Sequence, residues 1–390
     1  MNNKNKSNND WIIPLYKIYT DDEDIELITK IIKRGSKWAL GPEIEELEKN
    51  ICDYVGSDFC VTLNSGTSAL HASLLAYNIK EFDEVIVPSF SFISTVNSVL
   101  FVKGVPIFSD IEEDTYGLDP GLIKSCISDK TKAIMPMDYG GSSCKIQEIQ
   151  AVAKENNLIV IEDAAEALGA KANGIKVGST SDASIFSFCG NKVLTTGEGG
   201  AVTTNSKEIF EKLKTIRSHG RVDNVNYFEN PEIANYVGVG YNWRMSSITA
   251  GLGITQLRKL DKLIYLRQKN AELLSSKLSK HKQIKTPNSP NGYEHIYQMY
   301  TIKLNNKKTR DGLKEFLLKK KIFCKIYFNP IHMTDFYKQK FPQYVGKLKI
   351  TEKVADLLLT LPIYPNMTKE EIDYITNTVD EYFEMFELNS

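Results

Sequence analysis

The 390-residue chain has no C-x-x-C pair, no excess of charge of one sign and no long apolar run, and each absence removes a class of function. Six cysteines stand singly at 52, 60, 126, 144, 189 and 324, and five histidines follow no metal-ligand spacing. Reduced thiols are therefore expected, with no disulfide framework and no metal site. Lys and Arg total 48 against 49 Asp and Glu, a formal net charge of −1, so no global field draws the chain to nucleic acid or to an anionic membrane. Any anionic ligand must be caught by local groups. No apolar run approaches the roughly 18 residues of a membrane span. Residues 1–10, MNNKNKSNND, are polar and Asn-rich, the composition of a disordered tail rather than a secretory leader. The expectation is a soluble, cytoplasmic protein.

What is present is an ordinary globular composition, 42% apolar and 25% charged, in a length that suits about two domains. From residue 59 the chain repeats one alternation of short apolar run, polar turn and helix-like segment. The runs are FCVTL (59–63), EVIV (84–87), VPIF (105–108), KAIMP (132–136), LIVI (158–161), SIFSF (184–188) and AVTT (201–204). Runs without period-2 alternation suit strands buried on both faces, so the expected fold is α/β, with one mostly parallel seven-stranded sheet flanked by helices. Beyond GYNWRMSSITAGLGITQLRKLDKLIYLRQKNAELLSSKL, read as one long bridging helix, the texture becomes that of a smaller α+β unit. In its last segment Thr368 and Glu371 are spaced as a capping box. The expected divisions are 1–10 tail, 11–250 large domain with an N-terminal helical segment, and 251–390 bridging helix and small domain.

Ligands of open α/β sheets bind at the carboxyl ends of the strands, so the residues after each run matter most. After FCVTL come Asn64, Ser65, Gly66 and Thr67, a polar glycine turn leading into an apolar helix. Backbone N–H groups and hydroxyls there suit a phosphate, and an ordinary Ser/Thr cap has the same composition. After EVIV come Phe90 and Phe92, which read singly as core. After LIVI come Asp163, Ala165 and Glu166, where an aspartate is ordinarily a helix cap unless a cation faces it. IFSFCGNKVLTTGEGG (185–200) carries Lys192 off an apolar strand into a glycine-rich turn, five residues after Ser187. An ammonium is costly to bury unless it is paired or loses its proton. A phosphate cradle, an aromatic plate, a buried carboxylate and a lysine at the ends of one sheet are together what pyridoxal 5′-phosphate requires. Its aldehyde takes a lysine as a Schiff base and its ring nitrogen wants a carboxylate.

NSGTSAL, EDAAEALGA, SFCGNKVLTTGEGG and GYNWRMSSITA also resemble, in order and spacing, the DegT/DnrJ/StrS sugar aminotransferases of pyridoxal-phosphate fold type I, over nearly the whole chain. The resemblance implies a Schiff-base role for Lys192 and a ring-nitrogen partner in Asp163. It further implies Phe92 and Ala165 on the two ring faces, with Gly66, Thr67 and Ser187 at the phosphate. Asn242, in GYNWRM, falls where an asparagine reaches the phosphate of the other subunit, which implies a homodimer with shared active sites. Glu166 stands where relatives often carry Gln or His near the ring hydroxyl, and a carboxylate there repels a phenolate unless protonated or turned away. His332, in YFNPIH, falls in a segment that resembles a substrate-facing loop, with a satisfied structural histidine as the equal alternative. Arg221, Arg244 and Lys325 are unranked candidates for a sugar-linked diphosphate.

The implied reaction moves an amino group, with L-glutamate as donor, to the keto group of a nucleotide-linked keto-deoxysugar, for surface polysaccharide or glycan synthesis. Amination at C3 and at C4 both stand. A sugar dehydratase of the same fold is the nearest alternative, but those relatives replace the lysine by histidine and this chain keeps Lys192. A non-catalytic sensor is weaker, because no basic patch or DNA-binding appendage is visible.

Overall fold

Each of the seven apolar runs forms a strand of one sheet in the computed structural model, which describes residues 11–222 and 233–387. The expected tail lies outside these residues. Across the sheet the order is Phe59–Leu63, Gly200–Thr204, Ala183–Ser187, Ile159–Asp163, Thr131–Ile134, Glu84–Pro88 and Val105–Ser109. Only Gly200–Thr204 runs against its neighbours, and the other contacts are parallel. The mostly parallel α/β sheet expected from the runs is therefore present.

The runs are continuous because successive residues bury on opposite faces. Val61, Val85, Val87 and Ile185 pack into one core with Leu70, Leu74, Val96, Val99 and Leu213 of the helices Gly66–Ala76, Ile93–Phe101 and Lys207–Arg217. Cys60 and Phe186 face the opposite way, against Leu47, Ile51, Ile254 and Leu257 of Pro42–Val55 and Ser247–Arg258. Ile86, Ile134 and Val160 meet Ile149 and Ala153 of Ile146–Glu155.

A second core sits around the three-stranded sheet Ile284–Lys285, Tyr300–Leu304 and Leu358–Leu361, covered by Leu260–Leu278, Lys307–Lys319 and Lys369–Glu387. The Thr368–Glu371 capping box closes in both directions, at 3.0 and 3.2 Å.

The packing differs from the expected divisions in three places. The bridging segment is two helices, Ser247–Arg258 and Leu260–Leu278, broken at Lys259. Lys259 is buried and its ammonium pairs with Asp21 and, at 3.0 Å, with Asp24 at the head of Asp22–Arg34. Residues of Ser247–Arg258 thus belong to the core of the large sheet. Ile13 instead packs in the C-terminal core, and its segment exchanges hydrogen bonds with Lys321 and Phe323. Finally, Ile331, Tyr337 and Leu348 return to the core of the large sheet, which a boundary drawn along the chain does not capture. A small sheet of Lys171–Ala172, Ile175–Lys176 and Tyr293–Glu294 completes the described strands. Its tight turn places Asn173 and Gly174 at φ 52° and 78°, the left-handed pair that an Asn-Gly hairpin favours.

Candidate active site

Asp163, Ser187, Leu63 and Pro88 end parallel strands at the same edge of the sheet, and Gly200 begins the antiparallel one there. Gly200 pairs with both Leu63 and Ser187, so the turns after those two strands are brought side by side.

The glycine turn forms the first part of the site. Ser65 caps Gly66–Ala76, its hydroxyl accepting from the Ser68 N–H at 3.1 Å. Gly66 lies directly against Ser187, and a Cβ on it would stand 2.9 Å from the Ser187 Cβ. The Thr67 hydroxyl lies 2.8 Å from that of Ser94. Gly66, Thr67 and Ser187 thus form one wall of hydroxyls and backbone at a helix N-terminus, where anions are favoured.

Asp163 is almost fully buried. Its carboxylate accepts from the Thr95 hydroxyl at 2.6 Å and the Ala165 N–H at 3.2 Å. Burial pushes its pKa up, against the pull of those two donors and of the Lys192 ammonium. The Ser91 hydroxyl lies 2.5 Å from that of Thr95, so the carboxylate ends a short hydroxyl chain.

Lys192 sits in the turn after Ala183–Ser187, its side chain 13% exposed. Its ammonium lies 3.2 Å from Glu166 Oε1, and Glu166 Oε2 accepts from the Gly140 N–H at 2.9 Å. Glu166 is therefore paired through both oxygens, which accounts for a carboxylate at this position. Two carboxylates and one ammonium leave the interior of the site negative, the complement of a protonated ring nitrogen.

The two phenylalanines separate. Phe90 is fully buried among Tyr116, Tyr139 and Phe328. Phe92 is 57% exposed at the head of Ile93–Phe101, open to a flat ligand. Ala165 lines one small cavity together with Glu166, Ser187 and Lys192. Taken together, a cradle that one Cβ would fill, a buried carboxylate, an exposed ring and a paired lysine fit pyridoxal phosphate.

Two further expected residues make no hydrogen bond to this group among the described contacts. Asn242 is exposed, on a segment whose Trp243 carbonyl accepts from the Asn64 N–H at 2.8 Å. For His332, read equally as substrate-facing or structural, the packing favours the structural reading: it is fully buried, its Nδ1 2.6 Å from the Ser89 hydroxyl and its Nε2 3.2 Å from Glu352. With both nitrogens engaged it presents no face to a substrate. Arg221 and Arg244 line a cleft with Arg217, Lys214 and Glu48, whereas Lys325 lies over the ring of Tyr327.

Thr95 and Gln298 are absent from the sequence-based set. Neither belongs to a motif, and only the folded chain brings them to Asp163 and to the Lys192 turn. Among the described residues no cluster of His, Cys, Asp or Glu is placed to hold a metal ion, and no helix is long and apolar enough to cross a membrane.

Comparison with known proteins agrees with this chemistry. The sequence model of the DegT/DnrJ/EryC1/StrS aminotransferase family matches residues 19–380. GDP-perosamine synthase of Caulobacter vibrioides is 35% identical over 346 residues, 88% of this chain and 91% of that one. The structure of Helicobacter pylori PseC, an aminotransferase in pseudoaminic acid biosynthesis, superposes with a TM-score of 0.88 at 28% identity, covering 96% of this chain and 99% of that one. Bacillus subtilis NtdA, solved with bound cofactor PMP, gives a TM-score of 0.84 at 27% identity, covering 93% of this chain and 82% of that one.

Proposed function

Because the chain belongs to the DegT/DnrJ/EryC1/StrS aminotransferase family, we propose that its Lys192 site moves an amino group from L-glutamate to the keto group of a nucleotide-linked deoxysugar. The protein is a pyridoxal-phosphate-dependent sugar aminotransferase of fold type I. Bound pyridoxal phosphate supplies the electron sink that lets an amino group leave one carbon and join another. The chain's own residues hold it and handle the protons. Gly66, Thr67 and Ser187 receive the phosphate, and Phe92 and Ala165 confine the ring. Asp163 keeps a proton on the ring nitrogen, and the Lys192 amine carries protons to and from the reacting carbon. Glu166 neutralises the lysine and orients its tip.

The observation that carries this reading is the Lys192–Glu166 pair beside the buried Asp163. Borohydride treatment followed by peptide mapping should place the pyridoxyl group on Lys192, and attachment to another lysine overturns the assignment. The nucleotide portion of the substrate is supported by the name of the GDP-perosamine synthase relative and by the cationic cleft at Arg217, Arg221 and Arg244. Release of 2-oxoglutarate from glutamate should be far faster with a keto-sugar nucleotide than with the free keto-sugar, and equal rates rule the nucleotide out. Asn242 is exposed and is assigned to the partner subunit's phosphate. Mixing Lys192→Ala with Asn242→Ala subunits should then restore activity through one intact site per heterodimer. No recovery after verified subunit exchange argues against sharing.

A further inference from the structure

We propose that Gln298 is a positioning residue that brackets Lys192 and sets the reach of its amine from the C-terminal half of the chain. Gln298 is 5% exposed. Its Oε1 accepts from the Val193 N–H at 2.8 Å, and its Nε2 donates to the Asn191 carbonyl at 2.8 Å. One side chain therefore holds the residues immediately before and after Lys192. The opposite amide orientation would set donor against donor and acceptor against acceptor, so the bracket admits only this one.

The backbone around Gln298 closes the arrangement into a ring. The Ile296 and Met299 N–H groups donate to the carbonyls of Gly141 and Gly140, at 2.9 and 3.0 Å. A Cβ on Gly141, at φ +105°, would stand 2.7 Å from the Gln298 backbone nitrogen, so this close approach needs glycine. The Gly140 N–H in turn donates to Glu166 at 2.9 Å, and Glu166 meets the lysine ammonium at 3.2 Å. The backbone beside Lys192 and the tip of its side chain are thus held by one segment, which continues directly into Tyr300–Leu304. A lysine that must meet the same carbon repeatedly needs a fixed origin, and small displacements of a reacting group cost rate far more than binding.

The proposal rests on Lys192 as the reacting amine, and its test separates the two claims. In the cofactor-free protein, hydrogen exchange of the Val193 amide reports the bracket without any lysine chemistry. Gln298→Met, of similar length but with neither hydrogen bond, should speed that exchange at least about tenfold and leave peptides outside 189–199 unchanged. In the loaded enzyme kcat should fall roughly ten- to hundredfold, with KM for the sugar nucleotide within about threefold. Exchange and kcat both within twofold of the parent protein overturn the proposal.

Gln298→Glu supplies a readout that a merely structural residue would not move. The introduced carboxylate keeps the Val193 bond and loses the Asn191 bond. Once protonated it regains a donor, so its kcat relative to the parent should recover as pH falls. The groups lining the same space, Lys192, Glu166, Tyr16 and Tyr327, are common to both proteins, so the ratio reads the substituted side chain. A flat ratio overturns the bracket, and this variant decides the question if Gln298→Met does not fold. Mapping of the pyridoxyl group to another lysine would remove the Lys192 reading while leaving the exchange result standing.

Discussion

Replacing Thr95 by valine deletes one hydroxyl without changing the shape of the site, and its effect follows from a single contact. Thr95 is fully buried and donates to Asp163 across 2.6 Å. A hydrogen bond to a charged group contributes about 1.5–3 kcal/mol, and one pKa unit corresponds to about 1.4 kcal/mol. Loss of the donor should therefore raise the Asp163 pKa by roughly one to two units, in the direction burial already pushes it. The sign is fixed: the hydroxyl stabilises the charged form, so without it the carboxyl takes up its proton at higher pH. A protonated Asp163 cannot stabilise a proton on the ring nitrogen. The acid limb of the kcat profile should then move upward by the same one to two units, with turnover near the alkaline plateau little changed.

The assay is release of 2-oxoglutarate across pH 5–9 for parent and Thr95→Val, with thermal unfolding followed at each pH. Ser91→Ala is the graded control, because Ser91 touches the Thr95 hydroxyl at 2.5 Å and is not itself bonded to Asp163 among the described contacts. Its shift should have the same sign and be smaller, as in a polarised chain of hydroxyls. Superimposable profiles for Thr95→Val and parent, both folded and loaded, would refute the reasoning.

Three other outcomes are expected. Gly66→Ala should weaken pyridoxal phosphate binding about ten- to hundredfold in a fluorescence titration, since the new Cβ meets Ser187 at 2.9 Å and overpacking of this kind costs about 1–3 kcal/mol. Burial lowers the His332 pKa, so the unfolded chain takes up a proton before the folded one, and that part of the stability is complete above about pH 6.5 and is lost as pH falls through the folded value. His332→Asn should flatten this acid dependence in thermal melts, relative to Ser89, Glu352 and Asp110 unchanged around it, and leave kcat/KM within twofold. Lys259→Met strands Asp21 and Asp24 without their cation and should cost about 3–5 kcal/mol in urea unfolding. A loss below about 1 kcal/mol would show that the pair is as dispensable as a surface one.

The sheet was readable because burial on two faces removes polar residues from a strand, and that is a local property of FCVTL or LIVI. The candidate site residues gather for a related reason. Asp163 ends a strand and Gly66, Phe92 and Lys192 each follow one within a few positions, so the strand order alone collects them at one edge. Thr95 and Gln298 escape such reading because their chemistry is relational. Their partners are 68 and 105 or 107 positions away, and a threonine in a helix or a glutamine before a strand carries no pattern that names a distant carboxylate or turn. The break at Lys259 escapes for the same reason: apolar periodicity continues through it, and only the approach of Asp21 and Asp24 makes a lysine stable inside the bend. Glu166 shows the limit most directly. Taken alone, a carboxylate near a ring hydroxyl is a repulsion that calls for protonation or rotation. With Lys192 at one oxygen and the Gly140 N–H at the other, the same carboxylate is partnered on both sides and held in place. Its role follows from what faces it: Lys192 in the turn that the Gln298 side chain bonds on both sides, and Gly140, whose carbonyl accepts from the Met299 N–H next to Gln298.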